Sequence, residues 1–427
     1  MTKRLSKTLS ITQAIGLGIT VVVGSGLLLL PGIAYHQAGD ASIYVWLLCG
    51  LLVMPLLVIF SALGAKYPSA GGVAGFVQSA FSRHFAAAVE VMLIGTFGLG
   101  IPAIALTGSY YLASFFNLDE QAELFFFGAS ITLIWVAFAI NYLGARISGN
   151  VQKYLAIALV LILILIPITA LMLAEGYHGE GVSPINSVDW SKVFPLIGLV
   201  FFAFTGWEML SFTIEEYKNP KRDYPISVAL SFVIVLTLYL LLVFAIQSIV
   251  PSDNPALNTA PLSLLAGQVL GKTAFYLVSV VSFVVILANI IGAVWASSRL
   301  VFSSSREGLL PGFIEKLSKN KTPQNALLVT CTVFSMVLAL NYLKWLSVSD
   351  LLRIAGQNFF IIYGVAVLAY INTVDNIGKR LFGVLSLIIV VFTMSNFGME
   401  LLYPAFLLII GYLLSRYQQS LSSRQSS

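Results

Sequence analysis

Glu208 stands in the middle of an apolar stretch, in the run Phe202-Ala203-Phe204-Thr205-Gly206-Trp207-Glu208. A carboxylate set this deep among apolar side chains is costly in its charged form and usually functional. It suits a group that takes up and releases a proton, or one that holds backbone amides freed by a broken helix. A second irregular stretch, Gly24-Ser25-Gly26, lies midway through the first apolar run and is followed by Pro31. Each glycine weakens a helix interior by about 1 kcal/mol relative to alanine, so both runs are expected to break at these points. No other group of residues has the make-up of a reactive centre. His36, His84 and His178 are scattered through loops, and Cys49 and Cys331 read as small hydrophobes inside apolar runs. They give neither a metal site nor a disulfide framework. Glu90 is the other acid inside an apolar run, near its start, where it is expected to reach the interface.

The elements that carry these residues follow from composition. The chain has 427 residues, 58% of them hydrophobic and 10% charged, with a mean hydropathy of +0.93. Soluble domains are about 25% charged, and a chain this long would need several polar surfaces. That excludes a soluble enzyme, a secreted disulfide scaffold and a nucleic-acid-binding module, and makes lipid the solvent. A helix needs about 20 apolar residues to cross a bilayer. Twelve such spans are expected near 11–34, 43–65, 86–116, 124–143, 151–173, 193–214, 225–250, 273–302, 325–344, 347–371, 380–397 and 399–415, with the links at 344–347 and 397–399 the shortest. The runs do not alternate as barrel strands would. The first is too long for a signal-peptide core and has no cleavage site behind it. Nineteen of the 23 Lys and Arg residues fall on the side of the two termini, which predicts cytoplasmic termini. The opposite loops carry Asp119, Glu120, Glu123, Glu175, Glu180 and Asp189. The charge of +5 is thus a topology signal and not a nucleic-acid signal.

The two breaks lie five spans apart. Matching interrupted helices in two halves point to an inverted-repeat transporter with its site at the midplane, because unwound backbone is viable in lipid only where it lines a cavity. Small residues also serve plain helix packing, which remains open for either run taken alone.

Four motifs in order resemble the amino acid–polyamine–organocation family. They are Gly24-Ser25-Gly26; Tyr67-Pro68-Ser69-Ala70-Gly71-Gly72-Val73-Ala74-Gly75-Phe76 running to Ala80-Phe81-Ser82; Phe201 to Glu208 continuing through Glu215-Glu216-Tyr217-Lys218-Asn219-Pro220-Lys221-Arg222-Asp223-Tyr224-Pro225; and Ser298-Arg299-Leu300, Arg306-Glu307-Gly308-Leu309-Leu310-Pro311 and Pro323-Gln324-Asn325-Ala326. The Gly71-Gly72 pair permits a tight turn, and Pro68 and Pro220 stop continuing helices. Lys218, Lys221 and Arg222 are expected at the anionic leaflet, forming with Glu215 and Glu216 either an inner gate of ion pairs or a solvated loop.

The resemblance implies an all-α integral membrane protein of twelve transmembrane helices. Its fold would be a five-plus-five inverted repeat with broken helices 1 and 6, the repeats spanning about 11–173 and 193–371 with helices 11 and 12 at about 380–415, all within one transporter domain, 1–427. It implies that Gly24, Ser25 and Gly26 hold a substrate carboxylate through backbone amides, as a half-helix N-terminus can. Carbonyls around Phe202, Ala203 and Thr205 would take the amino group, with Phe204 and Gly206 in the same unwound segment. Phe202 matches the family's aromatic gate, and Trp207 and Glu208 fall on its gating and proton-linked stretch. Pro102, Ile104 and Ala105 on span 3, and Asn289 and Ala293 on span 8, are candidate side-chain contacts. With Glu208 the only central carboxylate, the pocket reads as apolar, suited to methionine, leucine, isoleucine or valine. The chain is also similar, through Tyr67 to Ala74 and Gly100-Ile101-Pro102-Ala103, to bacterial exporters of methionine and branched-chain amino acids. It departs from importers that carry a lysine in span 5, since Ala156-Ile157-Ala158-Leu159 has none and Lys153 is expected at the helix entrance. Ser297 and Ser298 stand where sodium-coupled relatives supply hydroxyls, though serines also bond back to their own helix. The resulting expectation is an inner-membrane exporter of neutral apolar amino acids in a bacterial cell, driven by proton antiport, without cofactors, and monomeric or homodimeric. An amino acid or polyamine importer or exchanger is the alternative on the same fold. A membrane nutrient sensor or membrane-embedded enzyme is the alternative from another class, against which stand the short loops and the lack of convergent His, Asp or Cys groups.

Overall fold

The computed structural model describes residues 5–116, 118, 122–174, 179–254, 257, 261–394 and 402–425. Among them there is no β-strand, only an isolated bridge between Leu9 and Tyr217. The chain runs through α1 (Ile11–Val22), α2 (Ser25–Ala38), α3 (Ser42–Lys66), α4 (Gly72–Ala80), α5 (Arg83–Phe115), α6 (Glu123–Tyr142), α7 (Ala145–Leu173) and α8 (Trp190–Phe201). It continues through α9 (Trp207–Ser211), α10 (Pro220–Ile249), α11 (Pro261–Leu270), α12 (Lys272–Arg306), α13 (Gln324–Tyr342), α14 (Val348–Thr373), α15 (Ile377–Met394) and α16 (Leu402–Gln425).

The local signals explain the boundaries. α1 opens on a capping box, with Ser10 accepting from the Gln13 amide and Gln13 reaching back to the Ser10 amide. Pro220 sits at the start of α10, where its missing N–H costs nothing. Ten helical stretches are long and apolar enough to cross a membrane, one being the 41-residue Gly26–Lys66. α1 and α11 are apolar but shorter, and α16 is not among the ten. The short link at 397–399 lies outside the described residues, as do Asp119, Glu120, Glu175 and His178.

α1 packs between α7, α10 and α12, while α5 lies against α12, α14 and α16. α5 and α12 are mostly buried, whereas α6, α7 and α15 are buried over less than a third of their most apolar stretch, so α6, α7 and α15 form an outer layer. Leu124, Leu161, Leu165, Met172, Ile388 and Val391 are exposed there. Only hydrocarbon can solvate such a surface, since a soluble monomer rarely exposes so large an apolar patch.

Three details of the helices differ from the sequence expectation. α7 begins at Ala145, six residues before 151, so Lys153 lies two turns inside the helix and not at its entrance. The glycine pair opens a turn, with Gly72 at φ +49°, but the residues after it form α4, packed on α5 and α14. The loop before α12 contains α11, whose ten residues are too few to span.

The face bearing the N-terminus is closed by ion pairs. Arg299 of α12 grips both oxygens of Glu216 at 2.9 and 3.2 Å, and Trp295 donates its indole N–H to the same carboxylate at 2.6 Å. Arg306 grips Glu215 with two bonds of 3.0 Å, and Glu215 also accepts from the amides of Leu5 and Ala70. Burial works against the Glu215 charge, but Arg306 and these amides together hold its carboxyl below the usual range. The partners of Glu215 and Glu216 are therefore arginines of α12. Lys218, Lys221 and Arg222 are exposed, and Arg222 pairs with its neighbour Asp223. The reason is geometric, because the loop turns Glu215 and Glu216 inward and leaves the three cations toward solvent. Glu90 likewise does not reach the interface. It is 1% exposed and pairs with Arg83 at 2.7 Å, while Arg83 lies 3.1 Å from Glu307.

Breaking a buried pair from one side strands a charge, at a cost of about 3–5 kcal/mol. Arg299→Met is expected to destabilise the protein by about that amount, and Arg299→Met with Glu216→Gln to regain most of it. Thermal unfolding in detergent checks this, and a single variant as stable as the parent would rule out a structural role for the pair.

Candidate functional site

Both expected breaks are present. α1 ends where the Val23 amide bonds to Ile19 O at 2.9 Å, and Gly24 precedes the first turn of α2. The carbonyls stranded at the end of α1 find side-chain donors from other helices. Asn289 of α12 donates Nδ2 to Val21 O, and the Tyr239 hydroxyl of α10 lies 3.4 Å from Val22 O. A Cβ on Gly24 would come within 2.7 Å of Asn289 Nδ2, so the asparagine can reach its carbonyl only past a glycine. Ser25 and Gly26 open α2, where the first amides of a helix lack partners within it.

In the second run α8 passes into a 3-10 turn, Phe202–Phe204, then extended Thr205, then α9. The Thr205 amide and hydroxyl both donate to Phe202 O, at 3.1 and 2.8 Å. Tyr239 donates to Ala203 O at 2.7 Å. Gly206 adopts φ +116°, a region that side chains resist. Glu208 folds back to accept from the Gly206 amide at 3.0 Å and takes a second bond from the Tyr363 hydroxyl of α14 at 2.9 Å. It is fully buried, and its Oε1 has no hydrogen-bond partner among the described residues. One oxygen thus caps the broken helix and the other is available to carry a proton.

The breaks touch. A Cβ on Gly26 would stand 2.8 Å from Ala203 Cα, and one on Gly206 would stand 3.2 Å from Val21 O. The structure therefore brings Gly24, Gly26, Ala203, Gly206 and, through Gly206, Glu208 into one place. Phe202 is half-buried and faces Gly356 of α14, where a Cβ would stand 3.3 Å from its ring. Phe204 packs on Trp46 and Tyr239. Trp207 turns away to Phe232 of α10. Ala293 is buried on α12 one turn beyond Asn289, and Ile104 is half-buried on α5.

Sequence reasoning missed Tyr239 and Tyr363, because a tyrosine within a span reads as one more aromatic until its hydroxyl partner is known. It also missed Gln152, buried one turn before the lysine-free stretch of α7, which bonds to Thr20 of α1 and donates to Ala288 O of α12 at 3.2 Å. Ser297 and Ser298 bond back to Ala293 O and Trp295 O of their own helix. Among the described residues no group of His, Cys, Asp and Glu could hold a metal ion. On the face of the N-terminus a cavity of about 600 Å³ is lined by Lys7, Pro68, Ser69, Glu215, Pro220, Arg306 and Glu307.

The arrangement has no nucleophile paired with a base. It has unwound backbone of two helices in contact, amides opening one half-helix, carbonyls closing two others and a carboxyl with one free oxygen. That set offers hydrogen-bond donors at one half-helix, acceptors at two others and a carboxyl beside them.

A family model described as amino acid permease matches residues 9–420. An uncharacterized amino acid permease of Bacillus subtilis (strain 168) is 28% identical over 419 residues, 96% of each chain. An L-methionine/branched-chain amino acid exporter of Escherichia coli (strain K12) is 25% identical over 414 residues, 95% of each chain. A branched-chain amino acid permease of Bacillus subtilis (strain 168) is 24% identical over 397 residues, 86% of this chain and 81% of the relative.

Because the Gly26 contact is with backbone, no side-chain rotation relieves a methyl group there. Gly26→Ala is expected to push the two breaks apart and to destabilise the protein by about 1–3 kcal/mol. Its melting temperature in detergent measures this, and an unchanged value would mean that the breaks are not held in contact.

Proposed function

The chain belongs to the amino acid permease family, and from that premise we propose that it exports neutral apolar amino acids, methionine, leucine, isoleucine and valine, by proton antiport. It is a transporter and not an enzyme. The observation that carries the reading is the contact between two helix breaks beside a buried carboxyl with one unpartnered oxygen. In this reading the opening amides of α2 at Ser25 and Gly26 take the substrate carboxylate, with Gly24 giving the clearance. The ammonium meets the unwound segment Phe202, Ala203, Phe204, Thr205 and Gly206. Phe202 closes over it, Ile104 and Ala293 face its side chain, and Trp207 supports the stretch that carries Glu208. Glu208 exchanges one proton per cycle.

The membrane is the inner membrane of a bacterial cell, with both termini cytoplasmic, twelve crossings and two inverted five-helix repeats. The positive-inside count supports this orientation, and the paired breaks support the repeat. Alternating access then consists of parting the Glu215–Arg306 and Glu216–Arg299 pairs on the cytoplasmic face while the other face closes. The export direction is supported by the relative named as an exporter, at 25% identity over 95% of both chains. Import or exchange of amino acids or polyamines on the same fold is the second reading, and a relative named only as a branched-chain amino acid permease is compatible with either direction.

Cells that overproduce the protein and are fed a leucine- or methionine-containing dipeptide are expected to accumulate less of the free amino acid than control cells. Equal accumulation would eliminate export. In proteoliposomes Glu208→Gln is expected to keep substrate binding, because the amide oxygen can still accept from Gly206 and Tyr363, and to lose the pH dependence of flux. A variant with the parent's pH profile would assign the carboxyl a purely structural role.

A further inference from the structure

The cavity on the face of the N-terminus has a volume of about 600 Å³ and charged groups of both signs in its wall. Pockets that hold small molecules run from about 300 to 1,000 Å³. Two wall residues, Glu215 and Arg306, are themselves an ion pair, and their side chains are 11% and 20% exposed. A molecule in the cavity can therefore touch both partners while they are joined. Arg306 also rests over the Phe302 ring, 5.2 Å from its centroid, and Glu215 is tied to the amides of Leu5 and Ala70. Each partner thus keeps its seat when the other leaves. The remaining charges of the wall are unmatched. Lys7 is exposed and in no ion pair among the described residues, while Glu307 shares the single guanidinium of Arg83 with Glu90. Parting a partly buried pair strands a charge on each side. A lone anion would satisfy Arg306 and leave Glu215 alone, and a lone cation would do the reverse. A molecule that carries both charges on one carbon satisfies the two at once, its carboxylate on the guanidinium and its ammonium on Glu215.

We propose that this cavity docks a neutral amino acid as its zwitterion, which inserts between Arg306 and Glu215 and so unlocks the face of the N-terminus. Lys7 supports the carboxylate from the rim, Glu307 attracts the ammonium, and Pro68 and Pro220 lie against the apolar side chain. A ligand shifts an equilibrium only by binding one state better, and this ligand finds both of its partners only when the pair has parted. The site is separate from the two helix breaks and precedes them on the way in from this face. The inference deepens the transport reading and takes its ligand class from it, but its test reads the ion pair and not flux.

Leu5 is 4% exposed and its amide is tied to Glu215, so a cysteine there reports the parting of the pair. The full-length Leu5→Cys protein, purified in detergent, is labelled with a maleimide. Cys49 and Cys331 are buried, and the parent chain gives their background. Ser6→Cys takes the place of Leu5→Cys if that variant does not fold. Leucine and methionine are expected to raise the labelling rate by about fivefold or more, saturably. Isocaproate and isoamylamine, which keep the leucine skeleton with one charge each, are expected to leave it unchanged. With Lys7→Ala added, the half-saturating leucine concentration is expected to rise by about two- to fivefold, the range of an exposed ion pair. With Arg306→Gln added, labelling is expected to be fast without leucine and insensitive to it. A rate that leucine does not change, an equal response to the single-charge analogues, a half-saturation that ignores Lys7→Ala, or an Arg306→Gln protein with the parent's response overturns the proposal. Leucine flux in proteoliposomes is measured separately. A protein that labels as expected but carries no leucine would count against the transport reading and leave the docking site standing.

Discussion

At membrane depth a backbone carbonyl or amide released from its helix must find another partner, because hydrocarbon supplies none. That constraint organises the interior of this protein. Two helices break, and the groups they release are met by side chains from α10 and α12 and, for the Gly206 amide, by Glu208 of the broken run itself. Asn289 takes Val21 O, Tyr239 takes Ala203 O and approaches Val22 O, and Glu208 takes the Gly206 amide. α10, α12 and α14 are therefore more than walls around the breaks. α10 and α12 each contribute a polar atom without which the unwound backbone would be unfavourable, and α14 supplies Tyr363 to Glu208, so the breaks and their surroundings form one unit.

The glycines have the complementary role. Donors can reach the backbone only if no side chain stands in the way, which is why Gly24 gives clearance to Asn289 and Gly26 lies against Ala203. Gly206 adds a backbone angle that other residues resist. Packing, hydrogen bonding and conformation thus agree on small residues at these positions, while bulky aromatics, Trp46, Phe204 and Tyr239, fill the space behind them.

Much of this was legible in the sequence. Glycines and a carboxylate inside apolar runs marked where α1 and α8 end, since few residues in a lipid-solvated chain depart from the apolar pattern. The acids were visible too, but their partners were not. Glu216 and Arg299 are 83 positions apart and meet only because α12 passes the loop before α10, and nothing in local spacing encodes that. Tyr239 and Tyr363 were hidden for a different reason, as their rings satisfy the hydrophobic pattern and only their hydroxyls make the polar contacts with the second break. Gln152 departs from the apolar pattern one turn before Ala156-Ile157-Ala158-Leu159, but nothing local marks its partners on α1 and α12. The start of α7 was misjudged because Arg146 and Lys153 look like interface residues, whereas the helix starts at Ala145, directly after Gly144 at φ +107°.

Glu215 is held at once by the Leu5 amide from the N-terminal segment, the Ala70 amide from the turn before α4 and the guanidinium of Arg306 at the end of α12. Losing any one of these leaves a half-buried carboxylate short of partners, so each contact makes the others more favourable. Such a clasp releases as a unit. The contacts of that clasp should consequently part in one abrupt step, with partly broken forms rare. Leu5 belongs to that clasp, so a rigid domain fused to the N-terminus would change how often it parts while touching nothing at the centre of the membrane.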